Sequence, residues 1–337
     1  MAFPLSILDL SPIDAGSSGR QALQNTIQLA RRADELGYTR YWLAEHHNSS
    51  SIASSTPEIL IESIARETTR IRVGSGGIML PNHTALKVAE TFHVLEALHP
   101  GRIDLGIGRA PGTDQVTAYA LRRSAETMGA DDFPEQLAEM FAFSTGSFPE
   151  GHMFQTISAS PRDVELPPVW LLGSSGYSAQ LAAQLGLSFA FAFHINPHDA
   201  VQAMTMYRKS FTPSAQLKQP QAIITASIVC AETDERAEEL ASTVDLAMVR
   251  IISGRSAPLA SPEEALAYPF TAGERLQIRN ARTRMIIGSP ATVKTRINML
   301  VEQTGASEAM LTTLVYGHEN RVRSYEMLAE VFELQHM

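Results

Sequence analysis

Four short segments most constrain what this chain of 337 residues can fold into: Tyr41–His47 (YWLAEHH), Gly74–Pro81 (GSGGIMLP), Arg102–Arg109 (RIDLGIGR) and Val169–Gly176 (VWLLGSSG). Each is an apolar run that fits a buried strand and breaks into a polar or glycine-rich turn. In a closed barrel of parallel strands, such turns open on one face, and that face is where (β/α) barrels keep their chemistry. The four segments therefore converge on one site.

The rest of the chain continues the alternation. Strands are predicted at Leu5–Leu10, Tyr41–Ala44, Ile71–Ser75, Ile103–Ile107, Val169–Leu172, Ser188–Phe193, Ala222–Cys230 and Ala309–Val315, with helices between them. Gly37, Gly186 and Gly305 read as helix terminators, Pro57 and Pro290 as first helical residues, and Pro100-Gly101 as a stop. Eight such units predict an α/β fold, a (β/α)8 TIM barrel. A barrel needs about 250 residues, which leaves roughly 80 for long insertions after strand four and between helix seven and strand eight. The first insertion, 110–168, carries helical stretches near Val116–Met128 and Pro134–Phe143; the second, Ser253–Thr283, reads as loop around Pro258, Pro262 and Pro269. One domain over residues 1–337 is expected. A doubly wound sheet would place G-x-G-x-x-G after the first strand, where this chain has Ser11-Pro12-Ile13-Asp14.

A formal net charge of -9 with no basic run argues against nucleic acid or an anionic membrane as partner. No apolar run is long enough to span a membrane and no secretory leader is evident, so a cytoplasmic location is expected. Cys230 is the single cysteine, which excludes an intrachain disulfide framework and a cysteine-based zinc site; within SIVCA it reads as a small buried hydrophobe. No metal site is expected. There is no H-E-x-x-H, and Asn196-Pro197 keeps His194 and His198 off a common helix face.

Chemistry concentrates at the strand ends. Alternation sends His46 to one side and Glu45 and His47 to the other, so the group is either functional or a buried pairing with loop backbone. The turn Gly173-Ser174-Ser175-Gly176-Tyr177-Ser178 opens a helix, where backbone N–H groups and hydroxyls suit either a phosphate or ordinary capping by Ser175 or Ser178. Arg109 lies in the neighbouring sector and suits a charged contact to the same phosphate, or a salt bridge with Asp104 or another rim acid. Gly74, Gly76 and Gly77 leave bare main chain that suits a flat ring or a tight bend. Phe191 and Phe193 alternate to one side near Trp170 and are expected to line the pocket or to pack the barrel interior.

Taken in order, these residues resemble the bacterial luciferase-like flavin-dependent monooxygenase family, from Leu5 to about Phe332. The acidic-His-His motif matches Glu45-His46-His47, the turn before Ile-x-Leu-Pro matches Gly76–Pro81, R-x-D-x-G-x-x-R matches Arg102–Arg109, and the late G-[ST]-P helix start matches Gly288-Ser289-Pro290. The resemblance implies FMN in reduced form, delivered by a separate flavin reductase. It places the phosphate on Arg109, Ser174, Ser175 and Ser178, and a non-prolyl cis peptide at Gly76–Gly77 against the isoalloxazine. His46 matches the family's catalytic histidine, with Glu45 and His47 beside the pocket. The implied reaction activates O2 as a flavin C4a-(hydro)peroxide, passes one oxygen to a small organic substrate and releases the other as water. A homodimer through helices near strands two and three is also implied, as is a mobile lid at 253–283. The light-emitting members carry a reactive cysteine where this chain has Gly108, a departure that bears on light emission and not on flavin binding. Deazaflavin-dependent hydride transfer and non-catalytic flavin binding are the two alternatives within the same superfamily.

Overall fold

In the computed structural model, which describes residues 3–122 and 132–334, eight parallel strands close on themselves. In chain order the strands are β1 (Leu5–Asp9), β2 (Arg40–Leu43), β3 (Arg72–Ser75), β4 (Ile78–Met79), β5 (Ile103–Gly108), β6 (Val169–Gly173), β7 (Ser188–Ala192), β8 (Ala222–Cys230), β9 (Met285–Gly288) and β10 (Glu308–Thr312). The barrel runs β1-β2-β3-β5-β6-β7-β8-β10 and returns to β1. Register is continuous across the first sectors, with Ile7 beside Tyr41, Tyr41 beside Val73 and Val73 beside Ile103. Strands buried on both faces have no solvent side to alternate toward, which is why they read as unbroken apolar runs. The predicted (β/α)8 barrel is the fold observed.

The helices are α1 (Gly19–Leu36), α2 (Pro57–Glu67), α3 (Ala85–Leu98), α4 (Gln115–Arg122), α5 (Phe133–Thr145), α6 (Gly176–Leu185), α7 (Ala200–Ser210), α8 (Asp234–Ile252), α9 (Pro262–Ala267), α10 (Ala272–Arg282), α11 (Pro290–Thr304) and α12 (His318–Val331). Local chemistry sets their ends. Ser18 caps α1 by accepting the Gln21 N–H, and Gly37 closes it at φ 86°, a left-handed conformation that suits glycine. Among the described residues no helix is long and apolar enough to cross a membrane.

Two elements depart from the sequence expectation. Residues 253–283 are not a plain loop, because Ser261 and Pro262 start α9 and a reciprocal Thr271–Glu274 capping box starts α10. Of the prolines there, Pro262 begins a helix while Pro258 and Pro269 lie between elements. Strand β9 lies outside the barrel: β8 is nine residues long, and while Ala222–Thr225 pair with β7, Ser227–Cys230 extend beyond it and take β9. The helix expected over Val116–Met128 is α4, and positions 123–128 lie outside the described residues.

Among the described residues four apolar clusters result. The largest fills the space between strands and helices, two small ones pack on α8, and one lies inside the barrel and contains Leu8, Trp42, Trp170, Ala190, Ile223 and Met310. Below it, at the strand N-termini, Asp104 accepts from Arg40 (2.7 Å), Arg72 (2.7 Å) and Trp42 Nε1 (3.0 Å), and Glu308 accepts from Arg40 and Ser6. This buried ionic plug closes the bottom of the barrel. The opposite mouth is where the four turns lie.

Candidate active site at the barrel mouth

Beyond β2 the inward positions Trp42 and Ala44 continue the alternation to His46. The His46 N–H donates to Ser54 O (2.9 Å), and Ser54 Oγ donates to Ala44 O (2.6 Å), so the following loop pins the backbone on both sides of Glu45. Among the described residues His46 Nδ1 is buried without a partner. Burial lowers its pKa below the usual 6.5 against the pull of Glu45, with His47 adding to the lowering. The ring is neutral at pH 7 and available to take a proton.

Glu45 points the other way and is fully buried. It accepts from His47 Nε2 (2.8 Å), His83 Nε2 (3.0 Å) and the Met79 N–H (2.8 Å). Burial alone would raise its carboxyl, yet the bonds from His83, His47 and Met79 hold it below the ordinary carboxylate value. His83 loses basicity to burial but gains more from Glu45, so its pKa is raised. Glu45 thus ties the end of β2 to β4 and the turn after it, and sets the loop from which His46 projects.

The Gly76–Gly77 peptide is cis. Both glycines are sites of close approach: a Cβ on Gly76 would lie 2.6 Å from Leu8 Cδ1, and one on Gly77 would lie 2.4 Å from Leu172 Cδ1 and 2.6 Å from Gly106 O. Arg109, exposed just past β5, stacks its guanidinium 4.4 Å from the Tyr177 ring centroid. Tyr177 is the second residue of α6, so this cation stands over the turn that holds Ser174, Ser175 and Ser178. Ser175 occupies the N-cap of α6 in an extended conformation but makes no side-chain capping bond. Ser178 is buried against Gly173, where a Cβ would lie 2.5 Å from Ser178 Oγ. Asp104, the acid considered for Arg109, is engaged with Arg40 and Arg72 at the far end of the barrel.

Phe191 and Phe193 do not line the mouth. Phe191 is fully buried in the helix-facing core beside Phe189, which itself packs on Tyr207 of α7, and Phe193 is partly buried against the same core. The inward residue of β7 is Ala190, since the strand is in the opposite phase. A histidine that sequence reasoning considered only for metal binding also comes to the rim: His194 Nδ1 donates to Thr225 O (3.1 Å), which leaves Nε2 as the bare nitrogen of the neutral ring. Its pKa is lowered by burial, against the Thr225 bond, and further by the nearby Arg284 and His46. The missed signal is that Phe191-Ala192-Phe193-His194-Ile195-Asn196-Pro197 is another strand breaking into a polar turn. Among the described residues no cluster of His, Cys, Asp or Glu has metal-binding geometry.

Residues 3–308 match the sequence profile of the luciferase-like monooxygenase family. The chain is 42% identical to a luciferase-like monooxygenase of Escherichia coli (strain K12), over 97% of this chain and 96% of that one. It is 35% identical to N-acetyl-S-alkylcysteine monooxygenase of Bacillus subtilis (strain 168), over 97% of each. The crystal structure of apo-MsnO8 superposes with a TM-score of 0.91 at 38% identity, covering 99% of this chain and 98% of that one. The barrel, its mouth and these likenesses together make the chain a member of the luciferase-like monooxygenase family of flavin-dependent oxidoreductases.

Proposed function

We propose that the protein is an FMNH2-dependent monooxygenase whose flavin binds across the barrel mouth. The donor set fits the group. Ser174, Ser175, Ser178 and the first N–H groups of α6 offer a phosphate several hydrogen bonds in a helix-dipole field, and Arg109 adds a full charge. Gly76 and Gly77 would offer the flavin ring main chain without side chains. Bound reduced FMN would supply the electrons that activate O2. His46, neutral and inward-facing, holds or returns a proton at its ring nitrogen, and Glu45 keeps the loop beneath it rigid. The apolar lining of Leu10, Ala44 and Leu172 excludes water that would divert the reaction to hydrogen peroxide.

The observation that carries this reading is the stacking of Arg109 on Tyr177, which puts a cation over the serine turn on the same rim as His46. Its test is a comparison of FMN with riboflavin. In the parent protein the phosphate should favour FMN, and Arg109→Ala should reduce that preference by about 1.5–3 kcal/mol, the worth of a hydrogen bond to a charged group. A preference as large in Arg109→Ala as in the parent would refute the assignment.

A separate reductase in the cytoplasm is the proposed source of FMNH2. We also propose a homodimer formed through α2 and α3, since exposed Ile59, Val94 and Leu98 line a groove between them.

A further inference from the structure

Beside the mouth, a cleft of about 380 Å3 lies between the turn after β7 and helix α10. The size is within the range of small-molecule sites. One wall is apolar, formed by Ile195, Ile252 and Ala281; the other carries the donors Gln277, Asn280 and Arg284. Among the described residues no carboxylate lines it. Arg284 Nη1 donates to Ile195 O (3.3 Å), Nη2 lies 3.8 Å from Met248 Sδ, and among the described residues Arg284 makes no ion pair. A half-buried guanidinium that bonds one carbonyl and no carboxylate keeps donors to offer an anion.

We propose that this cleft binds an organic acid, its carboxylate on Arg284 and its alkyl arm along Ile195 and Ile252. Identifying that acid with the substrate rests on the flavin reading given above. The position supports it: His194, which immediately precedes Ile195, faces the mouth from the same turn and is held by Thr225 O. Asn196 Nδ2 donates both to Ser174 O (3.0 Å) and to Asp199 (2.8 Å), so one turn joins the cleft wall to the serine turn and gives the carboxylate that follows it a hydrogen-bond partner. An anion on Arg284 is therefore held beside the reacting face without competing for the phosphate donors.

Sodium octanoate and octanamide, matched in length and differing in charge, are the probes, titrated calorimetrically into the protein in the presence of FMN. The parent should bind octanoate at least about tenfold more tightly than octanamide. Arg284→Met should bring octanoate to the octanamide level while FMN affinity is retained, and Arg284→Lys, which keeps the charge but not the fork, should recover part of the preference. Equal affinities in the parent, no binding of either probe, or a preference that survives in Arg284→Met overturns the proposal. A preference lost in Arg109→Ala but kept in Arg284→Met would instead place the anion on the serine turn and overturn it too. FMN titrations of the same preparations separate the two readings: octanoate preference tied to Arg284 in a parent protein that takes up no FMN would uphold the cleft and sink the flavin assignment.

Discussion

A general acid or base is worth about 100- to 10,000-fold in rate, whereas a histidine that only fills space shows its loss as instability. His46→Ala should therefore keep FMNH2 affinity within a few fold and lower product formation by at least about 100-fold, with the reduced flavin still consumed as hydrogen peroxide. Because burial lowers the His46 pKa, the acid limb of the coupled rate should fall below the ordinary 6.5. Product at parental yield would refute the role. Glu45 and His83 make a separate prediction about stability. The raised His83 contributes stability that is complete below about 6.5 and is lost as pH rises through its folded value; the lowered Glu45 contributes above about 4.5 and loses it as pH falls through its own. The melting-point deficit of His83→Gln should thus be larger at about pH 5.5 than at about pH 9. A deficit that grows with pH would contradict the pairing. At this scale the sequence was legible where a motif names atoms, as in Glu45-His46-His47. It was illegible where phase decides, as at Phe191 and Ala190: two adjacent apolar residues carry no mark of which one faces the barrel axis.

Strands and helices were more legible than the residues on them, because a buried parallel strand and an amphipathic helix announce themselves by pattern. The units that escaped are β4, α9, α10, β9 and α12. α9 is six residues long, α10 is largely exposed, and β9 exists only because β8 outruns its barrel neighbour. These additions are tied down. Leu259 bonds two residues of the loop after β1, Ala15 N–H donating to Leu259 O and Leu259 N–H to Ile13 O (both 2.8 Å), and Ser256 meets Ser50 and Ser51, so the segment expected to be a lid is strapped to the loops after β1 and β2. Close strand contact has a similar sequence signature in glycine. A Cβ on Gly106 would lie 2.0 Å from Ser75 O, a backbone atom that cannot move aside, and Ser75 Oγ already donates to Gly106 O (2.8 Å). Gly106→Ala should cost about 1–3 kcal/mol in urea unfolding through overpacking between β3 and β5. An unchanged midpoint would mean that the two strands part freely there.

Across the whole molecule the two ends of the barrel divide stability from chemistry, and the RIDLGIGR segment traverses that division. Arg102 donates to Ala65 O, Thr68 O and Ile71 O, closing the chain between α2 and β3; Asp104 gathers Arg40, Arg72 and Trp42; Gly106 admits β3; and Arg109 emerges at the mouth. One eight-residue motif therefore carries three structural duties and sends a fourth residue to the mouth, which its family resemblance alone does not separate. The separation can be measured. Asp104 is fully buried with two arginines, and removing it leaves Arg72 without its carboxylate and Arg40 with Glu308 alone. Breaking a buried ion pair from one side costs about 3–5 kcal/mol, because the partner charge stays desolvated and uncompensated. Asp104→Ala should lose about that much unfolding free energy, and Asp104→Asn, which retains an acceptor, should lose less. The folded protein should still bind FMN within a few fold of the parent, since the whole interior core lies between the plug and the mouth. If Asp104→Ala matched parental stability while weakening FMN as Arg109→Ala does, the bottom of the barrel would belong to the site, and the division between the two ends would be wrong.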